Sequence, residues 1–148
     1  MEIRPITSTE ARTVRLPVLR AGLPPEFAKL DHDDDPGTRH FGAFEGGRLV
    51  GVATFFAESC PLRPGPRAWR LRGMATIPEM QGRGAGRALV TAGIGTAIAD
   101  GATLMWCNAR VTACGFYERL GFAPVGGEFE LPNSGRHYMM IKELSDPS

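Results

Sequence analysis

The residues of this chain best suited to chemistry lie together in Gln81-Gly82-Arg83-Gly84-Ala85-Gly86-Arg87. Glycines let a backbone come close to a ligand and turn its amide N–H groups outward. The segment precedes the clearest helical stretch, whose first N–H groups lack partners and carry the positive end of the helix dipole. Phosphate or pyrophosphate suits such a place, and Arg83 and Arg87 add positive charge. Two nucleotide patterns fail here. No Lys follows the glycines as a P-loop requires, and Arg87 takes the last glycine position of a dinucleotide fingerprint counted from Gly82. A glycine-rich turn without a ligand is the plainer alternative, but it would weaken a helix start for no gain.

The elements around this loop follow from periodicity. Ile3 to Ile6 reads as a strand, and Thr7-Ser8-Thr9-Glu10 offers a capped helix start. That helix should stop near Pro17 or shortly after. Glu26 to Gly37, with Asp31, His32, Asp33, Asp34 and Asp35, reads as a solvated loop with one helical turn. Phe41 to Phe44 and Leu49 to Phe56 read as a hairpin across Glu45-Gly46-Gly47. Trp69 to Ile77 is a strand whose alternation breaks at Gly73, as a β-bulge would leave it. From Gly84 to Asp100 apolar residues recur every four positions, a helix closed by Gly101. Thr103 to Asn108 is a buried strand, and Thr112 to Leu120 a second helix ended by Gly121. Phe122 to Leu131 and Arg136 to Lys142 form a last hairpin across Pro132-Asn133-Ser134-Gly135, a turn by composition.

Composition narrows the function classes. At 148 residues, with 43% hydrophobic and 22% charged, the chain suits a single domain spanning 1–148 with a real core. A net charge of +1 lacks the basic surplus of a nucleic-acid binder. Cys60, Cys107 and Cys114 are an odd set at unrelated spacings, so neither a disulfide framework nor a zinc site is expected. The start Met-Glu-Ile-Arg-Pro is no secretory signal, and no apolar run approaches the roughly 20 residues of a membrane span. A cytoplasmic, reduced protein without metal or membrane contact is expected. His32 and its acidic neighbours lack the glycine and terminal Glu of a calcium loop, which leaves a flexible acidic loop.

Two stretches resemble one family. Pro78-Glu79-Met80-Gln81-Gly82-Arg83-Gly84-Ala85-Gly86 resembles the acyl-CoA motif Gln/Arg-x-x-Gly-x-Gly/Ala of the GNAT family of N-acetyltransferases. Ala113-Cys114-Gly115-Phe116-Tyr117-Glu118-Arg119-Leu120-Gly121-Phe122 resembles its second signature, Ala-x-x-Phe/Leu-Tyr-x-x-x-Gly-Phe. The order of elements resembles the family's too. The resemblance implies an α/β fold, a mixed, mostly antiparallel sheet of about six to seven strands with about four helices. It also implies acetyl-CoA as acyl donor, held at its pyrophosphate by the amides of Gly82, Arg83, Gly84, Ala85, Gly86 and Arg87. Met74, Ala75 and Thr76 match the backbone that pairs with the pantetheine arm, an added strand for which a bulge at Gly73 would splay the sheet. Tyr117 matches the family's general acid.

That chemistry has a physical basis. Acyl transfer from a thioester to an amine needs a neutral amine, a polarised carbonyl and a protonated leaving thiolate. A Tyr hydroxyl, with a reference pKa of about 10, can protonate a thiolate of similar basicity. A backbone N–H near Thr76 would stabilise the oxyanion. Two positions depart from the family. Arg72 stands where members often carry a Glu base, leaving Glu58, Glu79 and His137 as substitutes to consider. Arg110 stands where an Asn often contacts the cofactor, and Asn108 is a near replacement. The expected function is acetyl transfer to a small-molecule amine by direct attack in a ternary complex, with an acidic lip drawing cationic amines. A non-catalytic acyl-CoA sensor or regulatory module is the alternative, and a homodimer is compatible with either.

Overall fold

The computed structural model describes residues 1–132 and 134–145. Seven strands form a sheet in the order β1-β2-β3-β4-β5-β7-β6, with β7 inserted between β5 and β6. They are β1 (Glu2–Pro5), β2 (Arg39–Glu45), β3 (Arg48–Ala57), β4 (Ala68–Thr76), β5 (Leu104–Arg110), β6 (Ala123–Leu131) and β7 (Gly135–Glu143). The helices are α1 (Ser8–Leu19), α2 (Ala85–Ala99) and α3 (Cys114–Arg119), with 3₁₀ turns at Pro25–Ala28, Pro78–Met80 and Val111–Ala113. Where about four helices were expected, the described residues hold three α-helices, and short 3₁₀ turns take up the other helical stretches. The chain divides into two compact units, Met1–Phe56 with Leu71–Gly93, and Ala57–Arg70 with the chain from Ile94.

In the first unit β1, β2 and β3 run antiparallel, with Ile3 opposite Ala43 and Gly42 opposite Val52. The β2–β3 turn uses Gly46 and Gly47 at φ +57° and +83°, the paired left-handed residues of a turn that matches strand twist. A reciprocal cap opens α1: Glu10 N–H donates to Thr7 Oγ1 at 3.1 Å, and Thr7 N–H to Glu10 Oε1 at 2.9 Å. The helix runs two residues past Pro17, and Val18 and Leu19 pack beside the buried set Ala11, Val14, Val52 and Ala75. Inside β4, Gly73 adopts φ +65°, the left-handed region that favours glycine.

The acidic stretch is not a solvated loop throughout. Ala28 and Asp33 are buried, and Asp33 is fastened to α1 through Arg15. A run of acids reads as solvated in sequence because its cationic partner, 18 residues upstream, carries no local signal.

In the second unit β5 pairs in parallel with β4 (Trp69 opposite Met105) and antiparallel with β7 (Cys107 opposite Met140). Cys60, Ala68, Leu104, Trp106 and Met139 form a core under Val125, Phe129 and Ile141. After α3, Gly121 N–H donates to Glu118 O and Phe122 N–H to Tyr117 O, both at 3.0 Å. Gly101 and Ala102 close α2 with the same double bond onto Ile98 and Ala97. Both ends are the glycine caps read from sequence. Of the expected β6–β7 turn, Asn133 lies outside the described residues.

Candidate active site

The 3₁₀ turn Pro78–Met80 carries the chain from β4 into the glycine loop. Gln81, the first residue of the expected cofactor-binding loop, donates from Nε2 to Thr76 O at 3.1 Å and so closes the loop. Gly82 and Gly84 take φ +76° and +90°, and a Cβ at either would meet no atom within 4 Å. These glycines are therefore required by backbone conformation and by access, not by packing. The N–H groups of Gly82, Arg83, Gly84, Ala85, Gly86 and Arg87 have no hydrogen-bond partner among the described residues. The first turn of α2 holds no acid, and neither Arg83 nor Arg87 forms an ion pair with a described residue. Unpaired donors, two free arginines and an uncompensated helix dipole together make a site for an anion with several oxygens.

Upstream, Met74, Ala75 and Thr76 form the last turn of strand β4 before the loop, with Ala75 buried and its neighbours half-buried. Their position directly after the Gly73 conformation is the one read from sequence.

Tyr117 sits in the second unit on α3, 7% exposed, with its ring edge-on to Phe116 and Phe122 at 5.0 and 5.5 Å. Burial, with the neighbouring Cys107 and Cys114 thiols, holds its hydroxyl well above the usual value of 10.0. The hydroxyl donates to no described residue. It is therefore a protonated acid with an unused proton. Burial pushes the Cys107 thiol up to about 12, with the Cys114 thiol adding to the effect. Thiols of this kind are inert at neutral pH.

Asn108 and Arg110 lie on the same face of β5. Asn108 Oδ1 is buried without a partner, an acceptor awaiting a donor. Arg110 donates from Nε to Ser134 Oγ at 3.3 Å, so its guanidinium is engaged with the β6–β7 end.

Each expected substitute for the Glu base is engaged. Glu58 Oε2 accepts from Arg70 at 3.2 Å, and Glu79 Oε1 from Arg48 at 3.1 Å. His137 is buried, donating from Nδ1 to Gly135 O at 2.8 Å and accepting from Ser134 Oγ at Nε2, 3.2 Å away. A ring with both nitrogens bonded cannot take a substrate proton without breaking one of them.

On the acidic segment stands His32, to which the sequence assigns no role. Its Nδ1 lies 2.7 Å from Asp35 Oδ2, and its φ of +73° makes it the one non-glycine with positive φ among the described residues.

No helix among the described residues is long and apolar enough to cross a membrane. The described residues also hold no cluster of three or more groups suited to a metal.

The seven-stranded, mostly antiparallel sheet and its strand order are those of the GNAT fold. The profile of the Acetyltransferase (GNAT) family matches residues 8–122. An uncharacterised N-acetyltransferase, YitI of Bacillus subtilis, is 33% identical over 144 residues, 97% of each chain. The chain also superimposes on an aminoglycoside 6'-N-acetyltransferase complexed with coenzyme A, at TM-score 0.77, 14% identity and full coverage of both chains. An IAA acetyltransferase from Bacillus cereus matches at TM-score 0.72 and 17% identity, over 97% of this chain and 99% of that one. The chain belongs to the GNAT family and is an N-acetyltransferase.

Proposed function

We propose that this chain acts as one acetyltransferase domain that moves an acetyl group from acetyl-CoA to the amine of a small molecule. The observation that carries the donor is the loop of unpaired amides from Gly82 to Arg87 between two free arginines. Those amides bind the pyrophosphate, and Arg83 and Arg87 add charge-assisted bonds. Backbone groups of Met74, Ala75 and Thr76 pair with the pantetheine arm, and Asn108 Oδ1 accepts from one of its N–H groups. The acceptor amine attacks the thioester carbonyl directly. Its N–C bond forms as the C–S bond breaks, Tyr117 gives its proton to the departing sulfur, and the acylated nitrogen loses its surplus proton to water. A phenol held above its usual range keeps that proton throughout the neutral range. The three free cysteines fit the reducing cytoplasm, where we place the protein.

The test is release of free thiol from acetyl-CoA in the presence of a mixed amine panel. Amine-dependent release supports the reading. Binding of acetyl-CoA with no release on any amine would instead make the chain an acyl-CoA sensor, the reading favoured by Arg72 in the place of a carboxylate.

A further inference from the structure

An acetyl acceptor must arrive as a neutral amine, yet Glu58, Glu79 and His137 are all engaged elsewhere. The inference that follows rests on the acetyl-transfer reading above. Leu30, at the start of the segment that runs to Asp33, lies over Gly73 of β4. A Cβ on Gly73 would meet Arg15 Nε at 2.7 Å and Leu30 Cδ1 at 3.0 Å. Arg15 Nη1 in turn donates to Asp33 Oδ2 at 2.6 Å and to Ala28 O at 3.1 Å, while Leu30 N–H donates to the same carboxylate at 3.0 Å. The segment is thus fastened over Gly73, the residue between Arg72, where the family often places its base, and Met74, the first residue matched to the pantetheine strand.

His32 is presented from this fastened segment. Its backbone holds φ +73°, and its carbonyl accepts from Thr38 Oγ1 at 2.6 Å and Asp35 N–H at 3.1 Å. Its ring lies against Phe56 of β3 with centroids 4.9 Å apart. The Asp35 carboxylate, 2.7 Å from Nδ1, only accepts when ionised, so Nδ1 carries the hydrogen. That leaves Nε2 of the neutral ring with a lone pair and no partner among the described residues. A base oriented by a carboxylate, held in a strained conformation on an otherwise fixed segment, is how acid–base sites are built.

We propose that His32, oriented by Asp35, is the general base that removes a proton from the acceptor ammonium. Nε2 takes the proton, the freed lone pair forms the N–C bond as the C–S bond breaks, sulfur takes the proton of Tyr117, and the acylated nitrogen gives its second surplus proton to water. Both side chains return to their starting forms through water. Asp35 faces the ring from its own turn, and Phe56 faces it from β3. Around it Asp31 and Asp34 flank the segment, Asp34 paired with Arg12 and Lys29, while Asp33, Arg15 and His40 form the buried layer behind.

His32→Gly is the informative variant, because glycine adopts φ +73° without strain and the fold is kept. His32→Asn, a residue that tolerates the same region, is the second. In the full chain, with an alkylamine the wild type accepts, kcat/KM at pH 7 should fall by about 10²-fold or more in both. Acetyl-CoA affinity should be unchanged. The acid limb of the pH–rate profile should be replaced by a slope that follows the amine's own pKa. Added imidazole should restore His32→Gly, and Asp35→Asn should lose about 10-fold, in line with a positioning role. An unaltered profile, or a loss that imidazole does not repair, overturns the proposal. A wild type that binds acetyl-CoA yet acetylates no amine overturns the acetyl-transfer reading first, and this one with it.

Discussion

Arg15 and Asp33 meet at 2.6 Å with both side chains withdrawn from solvent. Around them Thr54 Oγ1 accepts from Arg15 Nη2 at 2.5 Å, and His40 bonds both Thr54 Oγ1 and Asp33 O at 2.8 Å. Burial by itself would raise the Asp33 carboxyl, but the bonds from Arg15 and Leu30 and the charges of Arg15 and His40 outweigh it and hold it below 3.8. Asp33 Oδ1 and Arg15 Nε remain unpartnered, so the pair is not free of cost.

Removing one partner leaves an uncompensated buried charge. Asp33→Ala should lower stability by about 3–5 kcal/mol, measured by urea unfolding at pH 7. The pH dependence has a defined sign. A carboxyl depressed in the folded state contributes stability fully above 3.8, and that contribution is lost as pH falls below 3.8 through the folded value. The wild type should therefore lose stability more steeply than Asp33→Ala across that acid range.

Gly84→Val should weaken acetyl-CoA binding by about 10-fold or more, about 1.4 kcal/mol. A β-branched residue is strained at φ +90°, so the loop amides must move. Gly47→Ala is the matched control, at φ +83° in the β2–β3 turn with nothing within 4 Å. It should lower the melting temperature and leave affinity alone, as read by calorimetry.

Tyr117→Phe should reduce kcat by about 10²-fold while acetyl-CoA affinity is retained, since the ring still packs against Phe116 and Phe122. Because burial holds the hydroxyl well above 10.0, no loss of rate below pH 10 should come from its ionisation. A limb near neutrality that vanishes in Tyr117→Phe would contradict the assignment.

Two glycines of α2 should respond with opposite sign to the same substitution. A methyl at Gly93 would overlap the ring of Phe55, which is fully buried and cannot retreat. Overpacking costs up to about 3 kcal/mol against a helix gain of about 1 kcal/mol, so Gly93→Ala should lose about 2 kcal/mol. In a chain of this size that lowers the melting temperature by about 4–8 °C. Gly95 has nothing within 4 Å, and Gly95→Ala should gain about 0.5–1 kcal/mol.

The parts of this protein that were legible in its residues are those governed by neighbours a few positions apart. Thr7 and Glu10 announced the start of α1, and Gly101 and Gly121 the ends of α2 and α3, because caps are local hydrogen-bond arrangements. The loop from Gln81 to Arg87 was readable for the same reason: glycine at fixed offsets before a helix exposes amides whatever surrounds it. What lay beyond reading depended on pairs brought together from far along the chain. Asp33 looked like one acid among four until Arg15, Thr54 and His40, from three separate elements, withdrew it from water. His32 became distinct only when the backbone around it was held at φ +73° and its ring was laid on Phe56. A long-range ion pair or a stacked ring has no sequence period. Its energy comes from desolvation and packing, which exist only once the distant elements have met.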